Sequence, residues 1–196
     1  IVKHLVDFER NVTPDMFEAV KQQTKKNYYN YFIKPSKLIR EIRLKTLQDS
    51  YWTTREKHAV IGKISLDRVK EFFREFSKNI YVQSLIQGNV TGEEALSWFE
   101  ALLSILNASD SGPSPRDIRC KQVPVGTRYM RCNGFNPRDS NSMVTSYYQF
   151  GPGDLYNHML MEIVAMIMEE PVFDVLRTKE QLGYHVFCMV RNTYGV

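Results

Sequence analysis

Cysteine is scarce in this chain and its spacing carries no pattern. Cys120, Cys132 and Cys188 are odd in number and form no Cys-x-x-Cys pair, which argues against a disulfide framework and a structural zinc site and fits a reducing, cytoplasmic setting. The four histidines, His4, His58, His158 and His185, never approach the spacing of a metal-binding helix. No signal peptide and no apolar run long enough to span a bilayer is present, so no membrane partner is expected. Strong charge of one sign is also missing: the net charge is +4, and Lys21 to Lys26 is interrupted by Gln22, Gln23 and Thr24. That stretch reads as a solvated helix face, and no nucleic-acid partner is expected. Three formal glycosylation sequons, Asn11-Val-Thr13, Asn89-Val-Thr91 and Asn107-Ala-Ser109, also read as cap or turn chemistry.

What is present is a globular composition, 43% hydrophobic and 24% charged, over a length that allows one or two domains. Thr13 before Pro14 marks a helix start, and Met16, Phe17, Val20, Thr24, Tyr28 and Tyr31 recur at helical steps to about Phe32. Pro35 opens a second helix with Leu38, Ile39, Ile42 and Leu47 inward. Thr53 with Glu56 forms a capping box for a third, and a fourth, after Ser65, carries Val69, Phe72, Phe73 and Phe76 on one stripe.

From Asn79 to Gln87 the period changes to two, which predicts a strand. Gly88-Asn89 ends it, and Thr91 with Glu94 caps a helix bearing Leu96, Phe99, Leu102, Leu103 and Leu106. Asn107 to Arg116 is rich in Ser, Pro, Asp and Gly and supplies the linker, placed at 108–117. Strands are predicted near Ile118–Val123, Thr127–Cys132 and Ser142–Phe150. Gly151-Pro-Gly-Asp154 then starts a helix that is apolar from Met159 to Met168 except for Glu162, as expected of a helix covered on two faces. Pro171 is read as opening the next helix, Gly183 as breaking it, and Tyr184–Val190 as a final strand. This alternation predicts an α+β layer structure.

Arg177 and Tyr184 are seven residues apart across that helix end, so both can reach one point. By residue type alone Arg177 reads as a surface ion-pair partner of Asp174 or Glu180, and Tyr184 as a strand residue packed on a neighbour. His158 and Glu162, four apart on one helix, lack a third metal ligand and read as a side-chain pair. Glu169 and Glu170 point about 100° apart on a helix and suit helix-end charge better than paired catalysis. Lys179 and Glu180 are assigned to structure or solvent.

The run Phe173-Asp-Val-Leu-Arg-Thr-Lys-Glu-Gln-Leu-Gly-Tyr184 closely resembles the insulinase/pitrilysin family of zinc peptidases. Leu85-Ile-Gln-Gly-Asn-Val-Thr91 resembles the strand and turn before the last helix of that family's third repeat. Met168-Glu-Glu-Pro171, Gly183-Tyr-His-Val186 and Arg191-Asn-Thr resemble its dibasic-selective branch. The resemblance implies an antiparallel sheet with helices packed on it, part of a four-repeat fold. Residues 1–107 would be the later part of the third repeat and 118–196 the first part of the fourth. It also implies that this is a piece of a longer zinc metalloendopeptidase that cleaves peptides at paired basic residues. The family's zinc signature, His-x-x-Glu-His, is not in this chain, so zinc would be bound by the N-terminal half, a partner of this one. Arg177 and Tyr184 would bind substrate and stabilise the oxyanion, with no catalysis by this piece alone. A non-catalytic scaffold or protein-binding module of the same fold is the alternative. Asp139, Asp154 and Glu162 have the charge to line a pocket that receives basic substrate residues. An unpaired apolar edge at Tyr184–Val190 would favour self-association.

Overall fold

The computed structural model describes residues 7–78, 80–106 and 118–192 of the 196. The linker expected at 108–117, the sequon at Asn107, His4 and the first residue of the Asn79–Gln87 segment lie outside them. The chain divides into two compact units: Ile1–Leu38, Trp52–Asp117 and Gly134–Asn141 form one, and Ile39–Tyr51, Ile118–Asn133 and Ser142–Val196 the other.

The first unit is helical. Its helix α1 (Phe8–Asn11) is followed by α2 (Pro14–Phe32), which starts where Thr13 accepts the Met16 N–H at 3.2 Å, with Pro14 at the first helical position. Helix α3 (Pro35–Leu47) begins at the second proline and contributes to both units. Helix α4 (Thr54–Ile61) carries a complete capping box: Thr53 Oγ1 accepts the Glu56 N–H and the Glu56 carboxylate accepts the Thr53 N–H. Helix α2 packs on α4 through Tyr29, Phe32, His58 and Phe135, whose rings meet edge to face or tilted at 5.4–6.0 Å. Phe32 and Ile61 are each 7% exposed. Lys21 departs from the solvated face expected of it: its ammonium donates to the Ile64 carbonyl at 2.7 Å and lies 5.3 Å from the Phe17 ring.

Helix α5 (Leu66–Lys78) is tied to α1 by Phe73 on Phe8 and by Arg74, which donates twice to the Glu9 carboxylate. Phe72 and Phe76 of its expected inward stripe stack on each other at the surface. Helix α6 (Gly92–Leu106) starts at Thr91 and Glu94, again a reciprocal pair.

No strand or sheet occurs among the described residues, which corrects the α+β expectation. Among the described residues the segments at 80–87, 118–123, 127–132, 142–150 and 184–190 form no strand, and the isolated bridge at Cys120 is the one ladder pairing within them. Alternation fixes which side of an extended backbone each side chain takes; a strand exists only when a neighbour's amides and carbonyls complete the ladder. Without that neighbour the apolar positions stay in solvent, Leu85 at 90% and Tyr129 at 94% exposure.

The second unit shows what replaces the ladder. At the end of α3 an isolated antiparallel bridge joins Gln48 to Cys120, with the Lys121 N–H donating to the Leu47 carbonyl and the Asp49 N–H to that of Arg119. The Gln149 side chain then spans the 121–123 segment, accepting the Val123 N–H at 2.6 Å and donating to the Lys121 carbonyl at 3.0 Å. Leu47, 1% exposed, and Gln48 are buried at this bridge, and the polar Glu41 is buried earlier on α3. The sequence pattern had marked Leu47 but neither polar residue.

Candidate functional site

Helix α7 (Leu155–Phe173) presents the segment singled out by the sequence. Asp154 caps it, its carboxylate accepting the Asn157 N–H at 2.9 Å, and that bond holds the Asp154 carboxyl below its ordinary range. Pro171 does not open a new helix as expected but lies inside α7, where it has no N–H for the carbonyl one turn back. Directly after it the winding widens into a π-helical segment, Asp174–Lys179. The Glu180 N–H donates to the Val175 carbonyl and the Leu182 N–H to the Leu176 carbonyl, five and six residues back. Single π turns inside α-helices recur at functional sites.

The helix ends at Gln181, not Gly183. Gln181 takes a φ of 52°, the left-handed conformation that turns the chain out of the helix, whereas Gly183 has none. This reversal decides the site. Had the helix run on, Tyr184 would lie two turns, about 10 Å, beyond Arg177 along the axis. Instead the Arg177 guanidinium carbon stands 4.5 Å from the centre of the Tyr184 ring and 4.8 Å from that of Phe173.

The two expected site residues are therefore brought together, although Tyr184 lies at a bend and not at the start of a strand. The ion pair that residue type suggested for Arg177 is not made. Asp174 is held by Lys179 at 2.6 Å, and no carboxylate pairs with Arg177 among the described residues. Tyr184 is 77% exposed. A guanidinium set against two rings spends none of its N–H groups on them, and the nearby phenol adds one neutral donor. Such a pair can hold a carbonyl oxygen that is gaining negative charge. Two clefts of about 570 and 590 Å³ exist, around Arg68 and Arg74 and around Arg40, Arg43 and Arg191, and neither is lined by Arg177 or Tyr184. Phe173 enters the sequence reading only as the first residue of the run that carries the family resemblance; its position four residues before Arg177 was the available signal.

The remaining candidates are engaged locally. His158 Nε2 lies 3.2 Å from Glu162 Oε1, the helical pair expected of them. Asp139 accepts from the backbone and side chain of Asn141, and Asp154 is occupied as a cap. Each of the three acids considered for a pocket receiving basic residues is engaged locally. Glu169 and Glu170 lie exposed near the end of α7, and Glu180 closes the π segment. Among the described residues no three His, Cys, Asp or Glu side chains are grouped to hold a metal, so the residues present do not fit zinc.

Comparison with known proteins accounts for the whole chain. Residues 63–196 match the family model described as peptidase M16 inactive domain, and residues 1–60 that of the middle or third domain of peptidase M16. Nardilysin of Mus musculus is 38% identical and that of Homo sapiens 37%, each over all of this chain. Insulin-degrading enzyme-like 1, peroxisomal, of Arabidopsis thaliana is 28% identical, also over all of it. The chain spans 17% of the length of the two nardilysins and 21% of the third relative. It belongs to the M16, or insulinase/pitrilysin, family of peptidases and corresponds to a part of a larger protein of that family.

Proposed function

We propose that the larger protein is a zinc metalloendopeptidase that cleaves peptides at paired basic residues, and that the 196 residues described here form one wall of its catalytic chamber. The observation that supports this most is the convergence of Arg177 and Tyr184 within 4.5 Å, in a region matched by an M16 family model. In this reading zinc and the general base would be held by the N-terminal half of the same protein, where the metal would supply activation of water. Arg177 and Tyr184 donate hydrogen bonds to the substrate backbone and hold the oxyanion that forms at the scissile carbonyl. The remaining helices are scaffold, the segment at 108–117 separates two family repeats, and the protein works in the cytoplasm. By itself this chain does not hydrolyse peptides.

The test is steady-state hydrolysis of a quenched dibasic peptide by the larger protein at matched zinc content. Loss of an oxyanion donor removes about 3–4 kcal/mol of transition-state stabilisation. Arg177→Ala and Tyr184→Phe are each expected to lower kcat by about a hundred- to a thousandfold with a smaller change in KM. Unchanged kinetics with intact folding would return both residues to a surface role.

A second reading, a non-catalytic scaffold or protein-binding module, draws on the description of the matched family model as an inactive domain. The two readings part on the same assay: a scaffold needs no turnover by the larger protein at all.

A further inference from the structure

We infer that Phe173 is a positioning residue for Arg177, and that the π turn between them sets the guanidinium in the attitude the reaction needs. This rests on the role proposed above for Arg177. An exposed arginine samples many rotamers, and its donors serve an oxyanion only when their plane is held. Here the guanidinium is in contact with two rings, Phe173 at 4.8 Å and Tyr184 at 4.5 Å. A cation–π contact uses no hydrogen-bond acceptor and so spends none of the guanidinium N–H groups, whereas a carboxylate would consume them. The nearest acid in sequence, Asp174, is withdrawn by Lys179 at 2.6 Å. Arg177 is thus fixed without its donors being spent.

The backbone supplies the other half of the device. Phe173 is the last residue of α7, and Arg177 lies inside the π segment that follows directly. The wide turn and the reversal at Gln181 return Tyr184 to the guanidinium that Phe173 already touches. Phe173 is 40% exposed, so shortening it opens no sealed core. A defect on substitution reports on Arg177 and not on collapse of the fold.

The experiment is a double-mutant cycle in the larger protein with a quenched dibasic peptide, separating kcat from KM. Phe173→Leu is expected to lower kcat about tenfold with KM nearly unchanged, and Phe173→Tyr, which keeps a ring, to restore it. In an Arg177→Ala background the same Phe173→Leu change is expected to cost nothing further. An equal fall in both backgrounds overturns the inference, as does an unchanged kcat for Phe173→Leu while Arg177→Ala remains defective. If Arg177→Ala itself turns over normally, the proposed function fails and the positioning role falls with it.

Discussion

Gln181 holds a backbone conformation that side chains bearing a Cβ adopt at a cost, with φ at 52° and no glycine to relieve it. The position ends the π segment and redirects the chain, so the cost is tied to the contact between Tyr184 and Arg177. Gln181→Gly is expected to stabilise the chain by about 0.5–1 kcal/mol, and Gln181→Val to destabilise it by at least about 1 kcal/mol. Urea denaturation followed by circular dichroism checks both, and a Gly variant that is markedly less stable would remove the strain argument. The residue was invisible as a helix end in the sequence, where Gly183 is the natural breaker. Left-handed geometry at a non-glycine residue depends on the hydrogen bonds around it, here the Leu182 N–H to the Leu176 carbonyl.

Helix starts are the elements that the sequence predicts best, because a cap is a contact over three residues. Thr13, Thr53, Thr91 and Asp154 each accept a backbone N–H three residues on, and at Thr53 and Thr91 the partner is the expected glutamate. Glu94 and Asp154 accept backbone N–H groups, and those bonds hold both carboxyls below their ordinary ranges. A carboxyl depressed in the folded state contributes stability above its unfolded pKa, and that contribution is lost as the pH falls through the folded pKa. Helical signal is therefore expected to fall below about pH 4, with α6 and α7 among the helices affected. The combined Glu94→Gln and Asp154→Asn variant, uncharged at both caps, is expected to lose less signal between about pH 5 and pH 2. An identical loss in both proteins would show that the caps do not titrate with folding.

At the scale of the whole molecule, apolar surface is the main feature. No residue of α6 or α7 is buried, and Leu155, Met166 and Ile167 of α7 are each at least two-thirds exposed. The sequence predicts α7 to be covered on two faces, and among the described residues there is no sheet for it to pack against. A contiguous apolar helix face of this kind favours association. The chain is expected to self-associate in a concentration-dependent way, driven by this face and not by the strand edge anticipated at Tyr184–Val190. Light scattering after size exclusion should show mass rising with concentration, and Ile163→Lys with Ile167→Lys should reduce it. A monomer at every concentration, or association unaffected by the two lysines, would dismiss the α7 surface as its cause.

The sequence by itself determined the family, the helix starts and the pairing of His158 with Glu162, since each is written in a motif or in contacts within a turn of one another. Long-range relations needed the tertiary structure. Only there does Gln149 stand in for a sheet ladder at Lys121 and Val123, Lys21 reach the Ile64 carbonyl, and Glu41 become buried. The alternating segments stayed unpaired for the same reason: a side-chain period describes one chain, and a strand needs a second one whose distance and register no local pattern specifies. Arg177 and Tyr184 lie between the two cases. Their residue types and spacing were legible, while the turn that closes them on each other and on Phe173 arises from a π winding and a left-handed glutamine set by the packing of the backbone on itself.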